Sequence, residues 1–387
     1  MQTFSFITTK KIISKIGGTS NCAHYCNDLG IKHPLIVSDP SIVNLGLIDE
    51  LTTSLKRNNI AYEIFDKIMP DPSDDIILEG TQFARDNTVD GVIGFGGGSS
   101  LDAAKAISVL LSGQQNLSSM YGIDQIKVER SPLILIPTTA GTGSEVTPIS
   151  ILTTGETTKS ALVSEKLLPD IALLDAQLTL NLPPAVTASC GIDAMVHAIE
   201  AFTSKEKKND YSDMLAHQAL KLLSRNIETA THQGKCLTAR QNMLLGACLA
   251  GQAFANAPVG AVHALAYPLG GHFKIPHGQS NAIVLPHVLR FNASHANDLY
   301  AELCPSILPE SSANRLANNC DATENLSYYF QQLMNGLGLS SRLRSYSITE
   351  NHLSMLAEDA MQQTRLLGNN PKPVTFEDAL QIYQQAY

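Results

Sequence analysis

Residues 90–111 read DGVIGFGGGSSLDAAKAISVLL. The opening apolar run has no polar alternation, as expected for a strand buried on both faces. It ends in Gly96, Gly97 and Gly98, followed by Ser99, Ser100 and a helix expected from near Asp102. Strand, glycine turn and helix in that order belong to a βαβ unit. Glycines let a ligand approach the backbone, and the free N–H groups at a helix start favour an anion such as a pyrophosphate. The spacing is not GxGxxG, because the sixth position counted from Gly94 is Ser99, so the standard dinucleotide fingerprint is absent. On this motif alone, a purely structural turn fits as well.

The alternation recurs on either side. HPLIVSD (33–39), AYEIFD (61–66) and SPLILIPTTAGTG (131–143) are further apolar runs, separated by the helix-like stretches SIVNLGLIDELTTSLKRNN and SDDIILEGTQFARDN. Strands alternating with helices imply a parallel sheet, whose neighbouring strands need crossover connections. The loop PTTAGTGSEVTP (137–148) sets Thr138, Thr139, Thr142 and Ser144 where hydroxyls can meet phosphate or ribose oxygens, or simply cap a turn. Asp39 closes its run. A carboxylate there can accept from ribose hydroxyls and would repel a 2′-phosphate, favouring NAD over NADP. From about residue 186 the pattern becomes helical, with two prolines in NLPP (181–184) at the change. The expected organisation is an α/β domain over 1–184, an all-helical domain over 185–387, and a ligand site in the cleft between them.

The helical part concentrates metal-ligand chemistry. In GIDAMVHAIEAF, Asp193 and His197 stand four residues apart, hence on one helix face one turn apart. In GAVHALAYPLGGHFKIPHG (260–278), His263 lies in a helix expected to break at PLGG, and His277 in the following loop. A fold-back across the glycines would bring both to one ion. Three imidazoles and a carboxylate suit Fe(II), Zn(II), Mn(II), Co(II) or Ni(II) rather than Ca(II) or Cu(I). Between the two histidines lie Tyr267, on the same helical face as His263, and His272.

Composition sets the bounds. A chain of 387 residues favours two domains. A net charge of −9 gives no electrostatic footprint for nucleic acid or an anionic membrane, and the basic run SKEKKND (204–210) reads as a solvated loop or helix end. No stretch has the length of a transmembrane helix and the N-terminus lacks a signal-peptide pattern, so a cytoplasmic location is expected. Seven cysteines without a CxxC pair are expected to be reduced thiols.

Taken together, GFGGGSSLDAAKAI, PTTAGTGSEVTP, GIDAMVHAIEAF, HALAYPLGGHFKIPHGQSNAIVLPHVLRFN and the C-terminal GNNPKPVTFEDALQIYQQAY resemble the iron-containing (group III) alcohol dehydrogenase family over essentially the whole chain. The resemblance implies a dehydroquinate-synthase-like fold and homodimers or larger homo-oligomers. It implies Asp193, His197, His263 and His277 as ligands of Fe(II), or of Zn(II) or another divalent metal. It implies a nucleotide site at Gly97, Gly98, Ser99, Thr138, Thr139 and Thr142, with Lys159 at the ribose region and Asp39 at the adenosine ribose; Gly96, Asp102 and Ser144, from the same two loops, are further coenzyme candidates. Asp71, a further candidate coenzyme contact, stands where many relatives carry Asn. Tyr267 stands where many carry a histidine thought to relay a proton, which leaves His272 or water as alternative relays. The implied reaction is hydride exchange between a small alcohol or aldehyde and NAD(H). A glycerol dehydrogenase, a maleylacetate reductase or a dehydroquinate synthase on the same fold, and a non-catalytic binding protein, are the alternatives. The apolar segments around the ligands speak for a small, neutral substrate, while Lys274 near His277 leaves an acidic one open.

Overall fold

The structure is a computed structural model that describes residues 3–113, 115–155, 158–309 and 321–387. The chain divides into two compact units, one over residues 7–180 and one over residues 181–387 joined by the N-terminal segment that ends at Phe6.

The first unit is built on six strands: β1 (Lys11–Ser14), β2 (Pro34–Val37), β3 (Glu63–Phe65), β4 (Gly91–Gly96), β6 (Leu133–Pro137) and β9 (Ile171–Leu174). Their order is β1-β9-β6-β4-β2-β3 and every pairing is parallel. Successive side chains point to opposite faces of a strand. Ile36, Ile93 and Ile134 accordingly pack with helices α1 (Cys22–Asp28) and α3 (Asp49–Arg57), while Leu35, Val92, Leu133 and Leu135 pack with α4 (Asp74–Asp86) and α5 (Gly98–Leu111). A short helix, α2 (Pro40–Asn44), follows β2. A second, three-stranded sheet pairs β5 (Gly122–Ile123) with β8 (Thr158–Val163), and β8 with β7 (Ile149–Thr154) as an antiparallel hairpin.

The second unit is helical. Its main helices are α6 (Pro184–Thr203), α7 (Asp210–His232), α8 (Leu237–Asn256), α9 (Ala261–Phe273) and α10 (His277–Ile307). Pro183 caps α6 and Pro184 opens it, where a missing N–H costs nothing. The N-terminal segment joins this unit because the rings of Phe4 and Phe6 lie 5.8 and 5.6 Å from that of Tyr211.

Two local expectations are corrected. Helix α9 does not break at PLGG but runs through Pro268 to Phe273 and stops at Lys274, whose φ of 55° is left-handed. His277 is therefore not in a loop: it is the first residue of the 31-residue α10, behind the cap residue Pro276. No disulfide joins the described cysteines; Cys320 lies outside the described residues.

Candidate functional site

Three helices bring four side chains together. Asp193 and His197 project from one face of α6, His263 from the first turn of α9, and His277 from the start of α10. One donor atom from each lies within 4.8 Å of all the others. Asp193, His197 and His263 are 2, 5 and 3% exposed, whereas the side chain of His277 is 38% exposed, so the cluster opens on the His277 side. His197 stacks between the rings of Phe254 (4.3 Å) and His263 (4.7 Å).

The donor set fits a divalent ion. Nε2 of His263 and of His277 stand 3.8 and 3.6 Å from Asp193 Oδ1, too far for good hydrogen bonds. Donors that share one ion at 2.0–2.2 Å in tetrahedral geometry lie about 3.4 Å apart. Burial by itself would push the Asp193 carboxyl up, but His197, His277, His263 and the Asn281 amide hold it below the usual carboxylate range. A buried anion facing three imidazoles is the donor chemistry of a transition-metal site.

Two contributors were missed by sequence reasoning. The Asn281 amide donates to Asp193 Oδ1 at 2.6 Å and stands 3.3 Å from Nε2 of both His263 and His277. Glu200, 6% exposed, sets Oε2 2.6 Å from His263 Nδ1 and accepts the Val262 N–H on Oε1 at 2.6 Å. Both were legible as spacing: Glu200 follows Asp193 and His197 at i+7 and i+3, and Asn281 follows His277 at i+4.

Tyr267 flanks the cluster, its ring 5.9 Å from that of His277. With Phe254 and Leu367 it packs on Val259, Ala264 and Leu366 to form an apolar wall. His272 is not brought to the cluster. Its Nε2 lies 2.9 Å from Asp359 at an exposed position.

The nucleotide candidates all lie in the α/β unit. Helix α5 starts at Gly98 rather than near Asp102, with Gly97 as its cap residue, so the free N–H groups are those of Gly98, Ser99 and Ser100. Gly96 has a φ of 153°, and a Cβ there would meet Ser100 within 2.7 Å, so a side chain is excluded. At Gly97 a Cβ would meet only Thr139, at 3.8 Å, so its absence leaves a cradle. The adjoining cavity of about 280 Å³ is lined by Asp39, Pro40, Met69, Gly97, Gly98 and Ser99, among others. Asp39 caps α2 by accepting the Ile42 N–H on Oδ1, and its Oδ2 turns toward Gly96. Thr138 is buried behind the cradle, while Thr139 and Thr142 are partly exposed.

Asp102 and Ser144, expected as coenzyme contacts, are engaged internally. Ser144 donates to Asp102 Oδ1 at 2.6 Å and accepts from Lys105 at 2.8 Å, and Asp102 Oδ2 accepts from Ile151 N. Lys159 pairs with Asp71 at 2.6 Å.

Comparison with known proteins decides the lineage. The chain matches the model described as "Iron-containing alcohol dehydrogenase" over residues 9–176 and the "Fe-containing alcohol dehydrogenase family, C-terminal" model over residues 187–387. The chain belongs to the iron-containing alcohol dehydrogenase family. It is 39% identical to long-chain-alcohol dehydrogenase 1 of Geobacillus thermodenitrificans, across 93% of this chain and 90% of that one. A crystal structure of a 1,3-propanediol oxidoreductase is 32% identical and superposes with a TM-score of 0.95, covering 100% of both chains. A crystal structure of sulfoacetaldehyde reductase from Bifidobacterium kashiwanohense in complex with NAD+ is 25% identical with a TM-score of 0.88, covering 100% of this chain and 99% of that one. As a member of the iron-containing alcohol dehydrogenase family, this chain is an oxidoreductase acting on alcohols, and the same-fold alternatives weighed from sequence are not favoured. Among the described residues, no single helix is long and apolar enough to cross a membrane.

Proposed function

We propose that the protein catalyses reversible hydride transfer between a small, neutral alcohol and NAD, using a divalent ion, Fe(II) foremost, held by Asp193, His197, His263 and His277. The observation that carries this reading is the convergence of those four donors from three helices within 4.8 Å. When bound, such an ion supplies Lewis-acid polarisation of the alcohol or carbonyl oxygen, and the nicotinamide supplies the hydride acceptor.

The residues of this chain then have distinct roles. Asp193, His197 and His263 form the buried side of the metal site, and the half-exposed His277 marks the side from which the alcohol enters. Phe254 and Tyr267 press the substrate's carbon chain against an apolar wall, which favours an apolar chain. Tyr267 serves mainly as wall, since a phenol is a poorer proton shuttle than an imidazole; water carries the proton.

In the α/β unit, the turn at Gly96, Gly97, Gly98 and Ser99 takes the pyrophosphate. Thr139 and Thr142 contact the nucleotide, with Thr138 buried behind them, Lys159 serves the ribose region, and the Asp39 carboxylate favours NAD by repelling a 2′-phosphate. The NAD+ complex of the sulfoacetaldehyde reductase supports the same preference. We place the protein in the cytoplasm as a homodimer or larger homo-oligomer, without nucleic-acid or membrane partners. Its net charge of −9 supports the last point, and the family resemblance supports the second.

The test is anaerobic metal analysis of the purified protein coupled to a panel of short and long alcohols and aldehydes with NAD(H) and NADP(H). His277→Ala should abolish turnover while NADH binding persists. Full activity in a well-folded, metal-free protein refutes the metal assignment.

A further inference from the structure

We propose that Glu200 is a positioning residue of the metal centre: it sets which nitrogen of His263 faces the ion and ties the α6 and α9 parts of the ligand set together. The proposal rests on the metal reading above.

Glu200 leaves α6 on the face that carries Asp193 and His197 and is almost fully buried. Each of its oxygens meets one N–H donor. Oε2 lies 2.6 Å from His263 Nδ1, and Oε1 accepts the Val262 N–H at 2.6 Å. A carboxylate accepts and does not donate, so the contact with His263 places the proton on Nδ1. The lone pair of Nε2, the atom 3.8 Å from Asp193 Oδ1, is then turned into the ligand set.

The second bond acts on the helix that carries the ligand. Val262 is in the first turn of α9, where backbone N–H groups have no partner within the helix. Glu200 caps that turn from α6, and Asn370 Oδ1 accepts the neighbouring Ala261 N–H at 3.4 Å. Asn370 is locked to Asn292 of α10 by reciprocal amide bonds of 3.0 and 2.7 Å. The start of α9 is thus held by α6 and, through the GNNPKP segment, by α10, the same helices that supply the other three ligands.

A cavity of about 10 Å³ borders Glu200, with Thr203, Asn292 and Tyr300 in its wall. It has space for about one water, so bulk solvent cannot replace the carboxylate.

The isosteric Glu200→Gln offers one acceptor oxygen to two N–H donors and turns an NH2 group toward the other. Metal-free wild type, Glu200→Gln and His277→Ala are titrated with Zn(II) against a competing chromophoric chelator, with NADH binding measured as a check on folding. Glu200→Gln should bind Zn(II) about 10–100-fold more weakly than wild type, with unchanged NADH affinity. Wild-type Zn(II) affinity in Glu200→Gln overturns the proposal. If His277→Ala loses Zn(II) in the same series, the metal reading survives that failure; if His277→Ala also keeps it, both fall. Should Glu200→Gln not fold, the ¹⁵N-histidine NMR spectrum of metal-free wild type decides. A proton on Nδ1 of His263 supports the proposal, and a proton on Nε2 overturns it.

Discussion

Gly278 follows His277 and meets the backbone of α6. A Cβ built on it would overlap the carbonyl oxygen of Ser189 and lie 2.7 Å from its carbonyl carbon and 3.1 Å from Asp193 Cβ. Carbon atoms in contact sit about 3.5 Å apart, so in Gly278→Ala the start of α10 must withdraw by roughly 0.8 Å. No rotamer change relieves this, because the obstacle is main chain. His277 moves with its neighbour, and its 3.6 Å separation from Asp193 opens by more than the roughly 0.2 Å that metal-ligand distances tolerate. A misplacement near 1 Å costs on the order of 100-fold in rate, and overpacking costs about 1–3 kcal/mol of stability. Gly278→Ala should therefore lose metal and show kcat/KM lowered by about 100-fold. Gly271 is the control. A Cβ there meets nothing within 4 Å, so Gly271→Ala should keep full activity and gain up to about 1 kcal/mol from helix propensity. Metal analysis, steady-state kinetics and thermal melts of both variants provide the check. Wild-type metal content and kcat/KM in Gly278→Ala would refute the argument that this close approach sets the His277–Asp193 spacing.

Three further outcomes are expected. Lys105, fully buried, donates to Ser144, Thr147 and the Ile149 carbonyl and lies 3.5 Å from Asp102; Lys105→Met should cost about 3–5 kcal/mol in urea unfolding, and a loss below about 1 kcal/mol would show that the network does not hold this loop to α5. Burial pushes the Glu145 carboxyl up to about 7, against the opposing pull of its own N–H and Lys105. Because its folded pKa lies above its unfolded value, its contribution is complete below about pH 4.5 and is lost as pH rises through about 7, at most about 3 kcal/mol. Melts of wild type should thus fall relative to Glu145→Gln between about pH 5 and 8, and the opposite slope would refute the assignment. Asp71→Asn keeps a residue type that tolerates the left-handed φ of 55° while releasing Lys159 from its partner. Stability should change by less than about 1 kcal/mol, and calorimetry should find tighter NADH binding; weaker binding would mean that Asp71 itself holds the coenzyme.

Local periodicity made much of this legible. Asp193 and His197 show their shared face because α6 keeps its period through both, and the strand around Val92 shows its burial by the absence of polar alternation. The start of α10 was obscured because Pro276, His277 and Gly278 carry turn chemistry. What makes them a helix start is distant: Gly278 seats on Ser189 of α6. Strand β9 (four residues) is held between β1 and β6, and β1 exists through its pairing with β9; these partners lie far off in the chain. Partner choice was equally hidden. Nothing near His272 announces Asp359, and nothing near Ser144 announces Asp102 and Lys105. Residue type nominated these side chains for the coenzyme or the proton, and tertiary hydrogen bonding engaged them elsewhere.

The ligands are spread along the chain from Asp193 to His277, so an ion that they share is also a cross-link. It closes a long loop that the unfolded chain would otherwise explore, and ligands brought together only by folding couple binding to folding. Metal loss therefore removes a staple from α6, α9 and α10 as well as the reactive centre. The protein should resist heat and proteolysis in step with its metal content, so that damage to the site also marks the molecule for turnover.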